Sequence, residues 1–344
     1  MKSLRPYNTF GFDVSARDIV LMHGIEDYLR CVRDSGPRLI LGGGSDVLLS
    51  EDFPGTVYVM ASRGITVERK TADYAVVRFA AGESWKETVE WCLGCGLSGI
   101  ENLALIPGTC GAAPVQNIGA YGREFADICE YVEIMHEDGT CERLPPEKCG
   151  FSYRMSRFKS DLSGCLITAV GLRLSRSFVP HIGYKALQCL GEKRDLSALD
   201  VYDKILELRG DRLPDPARIG NAGCFFQNPV IDREKAAELQ RRFPDMPQFE
   251  FGSSVKVPAG WLIDKAGLKG FEHERAAVWS KQALVLVNRG GARPQEVLDL
   301  AGIVTDRVRE RYGIELQPEV RIADSRGFVD PKSPLRRSST GRGH

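Results

Sequence analysis

The chain has 344 residues, of which 27% are charged and 43% hydrophobic, with 46 Lys and Arg balanced by 46 Asp and Glu. That length allows two or three domains around a sizeable core, which excludes a small disulfide-stapled scaffold and a wholly disordered chain. A formal charge of zero removes the basic footprint of a nucleic-acid binder.

No window reaches the ~18 consecutive apolar residues of a membrane span, and residues 1–17 lack a signal-peptide core, so a cytoplasmic protein with no membrane insertion is expected. Ten cysteines without a secretory leader read as thiols rather than a disulfide frame. Cys92 and Cys95 form one CxxC, but no second pair follows at zinc-ribbon spacing, so no metal site is expected. The 36 glycines exceed the ordinary ~7%, which calls for many tight turns or close backbone approaches.

In chain order, Ile25, Tyr28, Leu29 and Val32 recur at helical spacing, and the apolar run 38–41 then leads into Gly42-Gly43-Gly44-Ser45. β-rich segments follow at 47–49, 56–60 and 74–79. Ser84 and Glu87 make a capping box ahead of the stripe Trp85, Val89, Cys92, Leu93, and Gly96 ends that helix. Residues 102–122 lose all periodicity and form a Gly-, Pro- and Ala-rich loop too long for mere connection. Strands at 131–135 and 141–144 flank the Asp138-Gly139 turn, and another strand is expected at 165–174.

A helix over 199–209 ends before Pro214-Asp215-Pro216, which reads as a domain boundary. Beyond it the pattern predicts a helix over 232–243, a strand over 283–288 and a long helix over 295–312 closed by Gly313. Residues 324–344 carry little apolar surface, and most of them are expected to be a disordered tail. Strands and helices mix without strict alternation, so the fold class is α+β.

Large enzyme classes drop out on spacing. A Rossmann fingerprint would need glycine at 42, 44 and 47 followed by a helix, but position 47 is Val and strand-like sequence follows. There is no P-loop, His273-Glu274 is followed by Ala277 where a zincin needs histidine, and Gly96-Leu97-Ser98-Gly99 is not a nucleophile elbow. The two glycine loops, 42–45 and 108–122, suit an anion, because successive backbone N–H groups form a nest that receives a phosphate. Gly42-Gly43-Gly44 alone reads equally as a tight turn; the pair points to a diphosphate.

Several motifs keep a common order across residues 8–322: Asn8-Thr9-Phe10-Gly11, Leu41-Gly42-Gly43-Gly44-Ser45-Asp46, Gly99-Ile100-Glu101-Asn102, Ile106-Pro107-Gly108, Gln116-Asn117-Ile118-Gly119-Ala120-Tyr121-Gly122, Phe151-Ser152-Tyr153-Arg154, Gly220-Asn221-Ala222-Gly223-Cys224, Ala259-Gly260-Trp261 and Pro318-Glu319-Val320-Arg321. Together they resemble the UDP-N-acetylenolpyruvoylglucosamine reductase (UDP-N-acetylmuramate dehydrogenase) family, in the form whose tyrosine-bearing loop closes on the substrate.

The resemblance implies a two-part FAD-binding domain of the vanillyl-alcohol oxidase type and a C-terminal α+β substrate-binding domain. The expected boundaries are 1–63 with 320–329 returning to it, 64–213 with the tyrosine-loop insertion, 214–319, and a tail at 330–344. It implies non-covalent FAD, NADPH as hydride donor, and a UDP-sugar whose enolpyruvyl ether becomes a lactyl ether in peptidoglycan precursor synthesis. A monomer is expected.

Carried over by motif, the catalytic residues are Arg154, Cys224 and Glu319. Arg154 pairs with the substrate carboxylate, Glu319 joins the hydrogen-bond network around the intermediate, and Cys224 gives the proton that serine usually gives in the family. A thiol, with a reference pKa of ~8.5, is the stronger acid of the two. The flavin is assigned to Gly42, Gly43, Gly44, Ser45, Asp46, Pro107, Gly108, Gly111, Ala112, Asn117, Gly119, Ala120, Arg209 and Arg321. The UDP-sugar is assigned to Tyr153, Tyr184, Arg212, Asn228, Lys256, Lys269 and Gln282. Asp46 stands where Asn is common, and Trp279 where His is common. Two alternatives stay open: a related flavin reductase acting on another unsaturated nucleotide sugar, and a non-catalytic flavin-binding regulator.

Overall fold

The computed structural model describes residues 1–330; the expected tail lies outside the described residues apart from Asp330. The chain forms two compact units, each gathered from separate segments. One contains residues 17–44 and 55–210, the other residues 1–16, 45–54 and 211–330.

The first unit is built on a five-stranded antiparallel sheet. Its order is Cys141–Leu144, Cys129–Met135, Leu166–Ser175, Tyr74–Ala80, Ile65–Lys70. Period-two patterning sends Ala75, Val77 and Phe79, Val132 and Ile134, and Val170 and Leu172 into one buried core. Onto that core the helix Trp85–Gly94 packs Trp85, Val89 and Cys92. The Ser84 hydroxyl caps it by accepting from the Glu87 N–H at 3.4 Å. Charged side chains pair on these strands at alternate positions, as in Arg78–Glu133 at 2.6 Å and Arg143–Glu68 at 2.9 Å.

A smaller layer of the same unit pairs Arg38–Leu41 in parallel with Phe53–Met60, from Arg38↔Thr56 to Leu41↔Val59. The helix Ile25–Arg33 buries Tyr28, Cys31 and Val32 with Tyr58 and Met60. The strand Arg38–Leu41 ends at Gly42, which brings the first glycine loop to the end of a rigid element.

The second unit has an antiparallel sheet ordered Gly220–Cys224, Val285–Asn288, Ala276–Val278, Glu272–His273. The helix Pro294–Tyr312 packs on Ala276–Val278 and Val285–Asn288, with Val297, Leu300, Ala301, Val304 and Val308 fully buried. Proline at its first position and Gly313 at φ 67° set its ends. The strand Arg321–Asp324 pairs in parallel with Val47–Leu49 and antiparallel with Gly327–Phe328. The N-terminal segment docks here too: Asn288 Nδ2 donates to the Phe10 carbonyl at 2.9 Å, and a Cβ on Gly220 would stand 2.2 Å from that same oxygen.

All ten cysteines are free thiols. Among the described residues, no helix is long and apolar enough to cross a membrane.

Candidate active site

In the first unit the two glycine loops meet. A Cβ on Gly42 would stand 2.5 Å from Thr109 Oγ1 and 3.3 Å from the Ala112 Cβ, and a Cβ on Gly43 would stand 3.1 Å from the Gly108 Cα. Neither position admits a side chain without moving the facing loop. Gly111 is equally closed, its N–H donating to the Ala81 carbonyl at 2.8 Å and its Cβ position 2.5 Å from the Ala81 Cβ. Pro107 is exposed beside Gly108. Thr109 Oγ1 is buried with no hydrogen-bond partner among the described residues.

The rest of the long loop is held in uncommon backbone. Leu105, Asn117 and Tyr121 have φ of 54°, 46° and 49°, and Arg154, facing the loop, has φ 55°. Each left-handed non-glycine residue costs on the order of 1–3 kcal/mol and persists only where its surroundings impose it. For Asn117 those surroundings are explicit. Its Nδ2 donates to Glu124 Oε2 at 2.7 Å and to the Ser152 carbonyl at 3.2 Å, while its Oδ1 accepts from the Ala126 N–H at 2.9 Å. Its side chain therefore shapes the loop.

The short strand Gly119–Ala120 follows, paired with Arg123–Glu124. The Gly119 carbonyl accepts from Arg154 Nη2 at 2.9 Å, and the Arg154 guanidinium lies 5.3 Å from the Tyr153 ring centroid. Backbone bonds between Ser152 and Met155, at 3.0 and 3.1 Å, close the turn that presents Arg154. Tyr184 is half exposed, its ring edge-on to that of Tyr121 with centroids 5.4 Å apart. Arg209 lies near the end of the helix Ala198–Arg212.

In the second unit the structure brings Cys224 and Glu319 to adjoining backbone. Cys224 ends the strand Gly220–Cys224, opposite Val285, after an irregularity in register that Gly223 at φ 72° accommodates. The next residue, Phe225, donates its N–H to the Leu284 carbonyl at 2.7 Å, and its carbonyl accepts the Glu319 N–H at 2.8 Å. Asn221 braces the strand: its Oδ1 accepts from the Gly223 N–H, and its Nδ2 donates to the Pro214 and Ile219 carbonyls. Cys224 and Glu319 are both half-buried.

The same unit holds Ser45, Asp46 and Arg321. The Arg321 N–H donates to the Asp46 carbonyl at 3.0 Å, and its guanidinium stacks 3.6 Å from the Phe328 ring centroid. Burial pushes the Arg321 pKa down, and the Asp46 carboxylate opposes that shift.

Four of the expected sugar-nucleotide residues in this unit have structural ties. Asn228 Oδ1 accepts from the Ala259 N–H at 2.9 Å, Lys256 Nζ lies 5.2 Å from the Phe251 ring centroid, Lys269 pairs with Asp264 at 3.5 Å, and Gln282 Oε1 accepts from the Leu284 N–H at 3.4 Å.

Comparisons with known proteins place the chain in a family. Residues 215–323 match the model of the UDP-N-acetylenolpyruvoylglucosamine reductase C-terminal domain, and residues 23–145 match that of an FAD binding domain. The UDP-N-acetylenolpyruvoylglucosamine reductase of Pasteurella multocida is 42% identical over 97% of this chain and 100% of its own length, and that of Vibrio cholerae is 46% identical over 93% of each. The chain belongs to the UDP-N-acetylenolpyruvoylglucosamine reductase family.

Among solved structures of that family, the reductase from Thermus caldophilus superposes with a TM-score of 0.67 at 26% identity, covering 93% of this chain and 97% of that one. Asp46 and Trp279, the positions where another residue was expected, each have a local partner. Asp46 supplies a negative charge beside the desolvated Arg321, and Trp279 donates its Nε1–H to the Arg212 carbonyl at 3.1 Å, satisfying the last turn of the helix Ala198–Arg212.

The residues fit an FAD-like group in this reductase fold. The loops at 42–43 and 108–112 are shaped by missing side chains, and they contain a buried hydroxyl that finds no protein partner. Sequence reasoning passed over Thr109, whose signal was its place directly after Pro107-Gly108.

Proposed function

We propose that the protein is an NADPH-dependent flavoenzyme that reduces UDP-N-acetyl-enolpyruvoylglucosamine to UDP-N-acetylmuramate in peptidoglycan precursor synthesis, acting as a cytoplasmic monomer. The reading is carried by full-length likeness to curated reductases at 42–46% identity, in a chain that has Arg154, Cys224 and Glu319 at the matching motif positions. The three-part division of the chain, with 214–319 as the substrate-binding domain, belongs to this proposal.

Gly42 to Asp46, Pro107 to Ala112, the Asn117 to Ala120 turn, Arg209 and Arg321 would hold FAD non-covalently, and when bound it would supply the two-electron hydride chemistry. Addition of hydride to the β-carbon of the enol ether leaves negative charge at the α-carbon, conjugated with the carboxylate. Arg154 meets that charge with a guanidinium that stays protonated at every working pH. Its strained backbone and its bond to the Gly119 carbonyl hold it in place before substrate arrives, so little reorganisation accompanies charge development. Cys224 Sγ–H delivers the proton to the α-carbon, and Glu319 orders the hydrogen bonds around it. Tyr153, Tyr184, Arg212, Asn228, Lys256, Lys269 and Gln282 hold the UDP-sugar.

The test is direct. Purified protein should carry a flavin absorbance that bleaches with NADPH and returns on adding the enolpyruvyl UDP-sugar, with UDP-N-acetylmuramate formed in equal amount. Protein that cannot be loaded with FAD, or whose reduced flavin ignores that substrate, overturns the proposal.

A further inference from the structure

Asn102 is fully buried in the short turn Glu101–Leu103, far in sequence from either group it touches. Its Nδ2 donates to the Tyr121 carbonyl at 2.9 Å and to the His181 carbonyl at 2.9 Å, nineteen and seventy-nine residues away. Both acceptors lead to Tyr184. His181 precedes it by three residues, and the Tyr121 ring packs edge-on against the Tyr184 ring at 5.4 Å. Downstream, the Leu187 N–H donates to the Tyr184 carbonyl at 2.8 Å, Gln188 Nε2 donates to the Gly183 carbonyl at 3.2 Å, and Leu187 is wholly buried. Tyr184 thus sits half exposed on a segment pinned at one end by Leu187 and at the other by the Asn102 carboxamide together with Ile182 packed on the core.

The partner on that carboxamide is itself part of the glycine loop. Tyr121 follows Gly119-Ala120 directly and is held at φ 49°. One buried side chain therefore ties the loop of residues 108–122 to the segment that presents Tyr184, by donating to a carbonyl on each.

We propose that Asn102 is a positioning residue for substrate capture: it sets the Tyr184 segment against the glycine loop so that the tyrosine is preorganised for the UDP-sugar. The inference rests on the reading that Tyr184 contacts that substrate. Asn102→Asp keeps the shape but replaces the two N–H donors with a carboxylate facing two carbonyls, and Asn102→Ser is the milder variant if the first does not fold.

Three measurements on the FAD-loaded protein decide it. Hydrogen exchange over residues 182–190 should speed up at least about tenfold in either variant, the scale of losing one net hydrogen bond. KM for the enolpyruvyl UDP-sugar should rise about tenfold or more, while flavin reduction by NADPH and FAD content stay near wild type. In a Tyr184→Ala background the same Asn102 substitution should add little to KM, because the two act through one contact.

Unchanged exchange over 182–190, or a KM effect that persists in full in the Tyr184→Ala background, overturns the positioning role. If Tyr184→Ala alone leaves KM unchanged, the substrate reading of Tyr184 fails, and with it Asn102 as an aid to capture; exchange over 182–190 then reports only the tether.

Discussion

Cys224 and Glu101 show how much one functional group can be asked to carry. If the Cys224 thiol protonates the α-carbon, Cys224→Ala should leave flavin reduction by NADPH close to normal, since no carbanion exists at that stage. Oxidation of the reduced flavin by the enolpyruvyl substrate should slow by ~10²–10⁴, the usual range for a lost general acid, and Cys224→Ser should recover much of it. Stopped-flow absorbance follows both half-reactions; an unaffected second half-reaction removes Cys224 from the mechanism.

Glu101 makes the opposite case, a charge with a cost. It is fully buried; its Oε2 accepts the Gly99 N–H at 2.7 Å, while its Oε1 has no partner among the described residues. Burial raises its pKa above the ordinary carboxylate value, against the opposing pull of the Gly99 N–H and Arg123. A folded-state pKa raised above the unfolded one contributes stability at low pH that is lost as pH rises through the folded value. Glu101→Gln should therefore melt higher than wild type at pH 8 and lose that advantage near pH 4. A variant that melts lower at pH 8 would show that the charge is needed.

At the scale of elements, sequence legibility followed apolar periodicity. The helices at 85–94 and 294–312 and the strand pair around Asp138-Gly139 were readable because stripe, cap and turn residues agreed. Ile65–Lys70 was passed over because, as an edge strand exposed along its whole length, it has no buried face to write a pattern. Gly220–Cys224 was passed over because Gly-Asn-Ala-Gly-Cys has no β-branched residue, its place being fixed by Asn221 and by the close approach of Phe10.

The loop residues proposed for the cofactor came from ordered motifs rather than from spacing, and the need for glycine in these loops became visible only where the two loops meet. Gly42→Ala should accordingly release FAD with little change in far-UV circular dichroism, since the new Cβ would meet Thr109 Oγ1 at 2.5 Å. Gly119→Leu should do the same by pressing on the Arg123 carbonyl, Glu124 and Arg154. Full flavin content in both variants would dissociate the glycine loops from cofactor binding.

For the molecule as a whole, the chain's end is informative. Truncation after Asp330 should leave flavin content and turnover near wild type, whereas truncation after Ser325 removes the Phe328 ring from the Arg321 guanidinium and the Val329 N–H from the Ile322 carbonyl. A desolvated guanidinium over a ring is worth ~0.5–2 kcal/mol, so the shorter protein should hold FAD more weakly and melt lower. Equal behaviour of the two truncations would place Arg321's support elsewhere. The sequence did not reveal this strand, because Gly327–Phe328 is two residues long and defined entirely by its partner Arg321–Asp324.

The interleaving of the two units also has a meaning for synthesis. Residues 1–16 belong with residues 211–330, and the Phe10 carbonyl meets Gly220 and the Asn288 carboxamide there. At ~5–20 residues per second, roughly 15–60 s pass between the emergence of Phe10 and that of Asn288. During that interval Phe10 and Phe12, stacked and almost wholly buried in the folded protein, wait for the later segments of their unit. Residues 1–16 are thus made well before the segments they group with, and their unit can close only once those later segments exist.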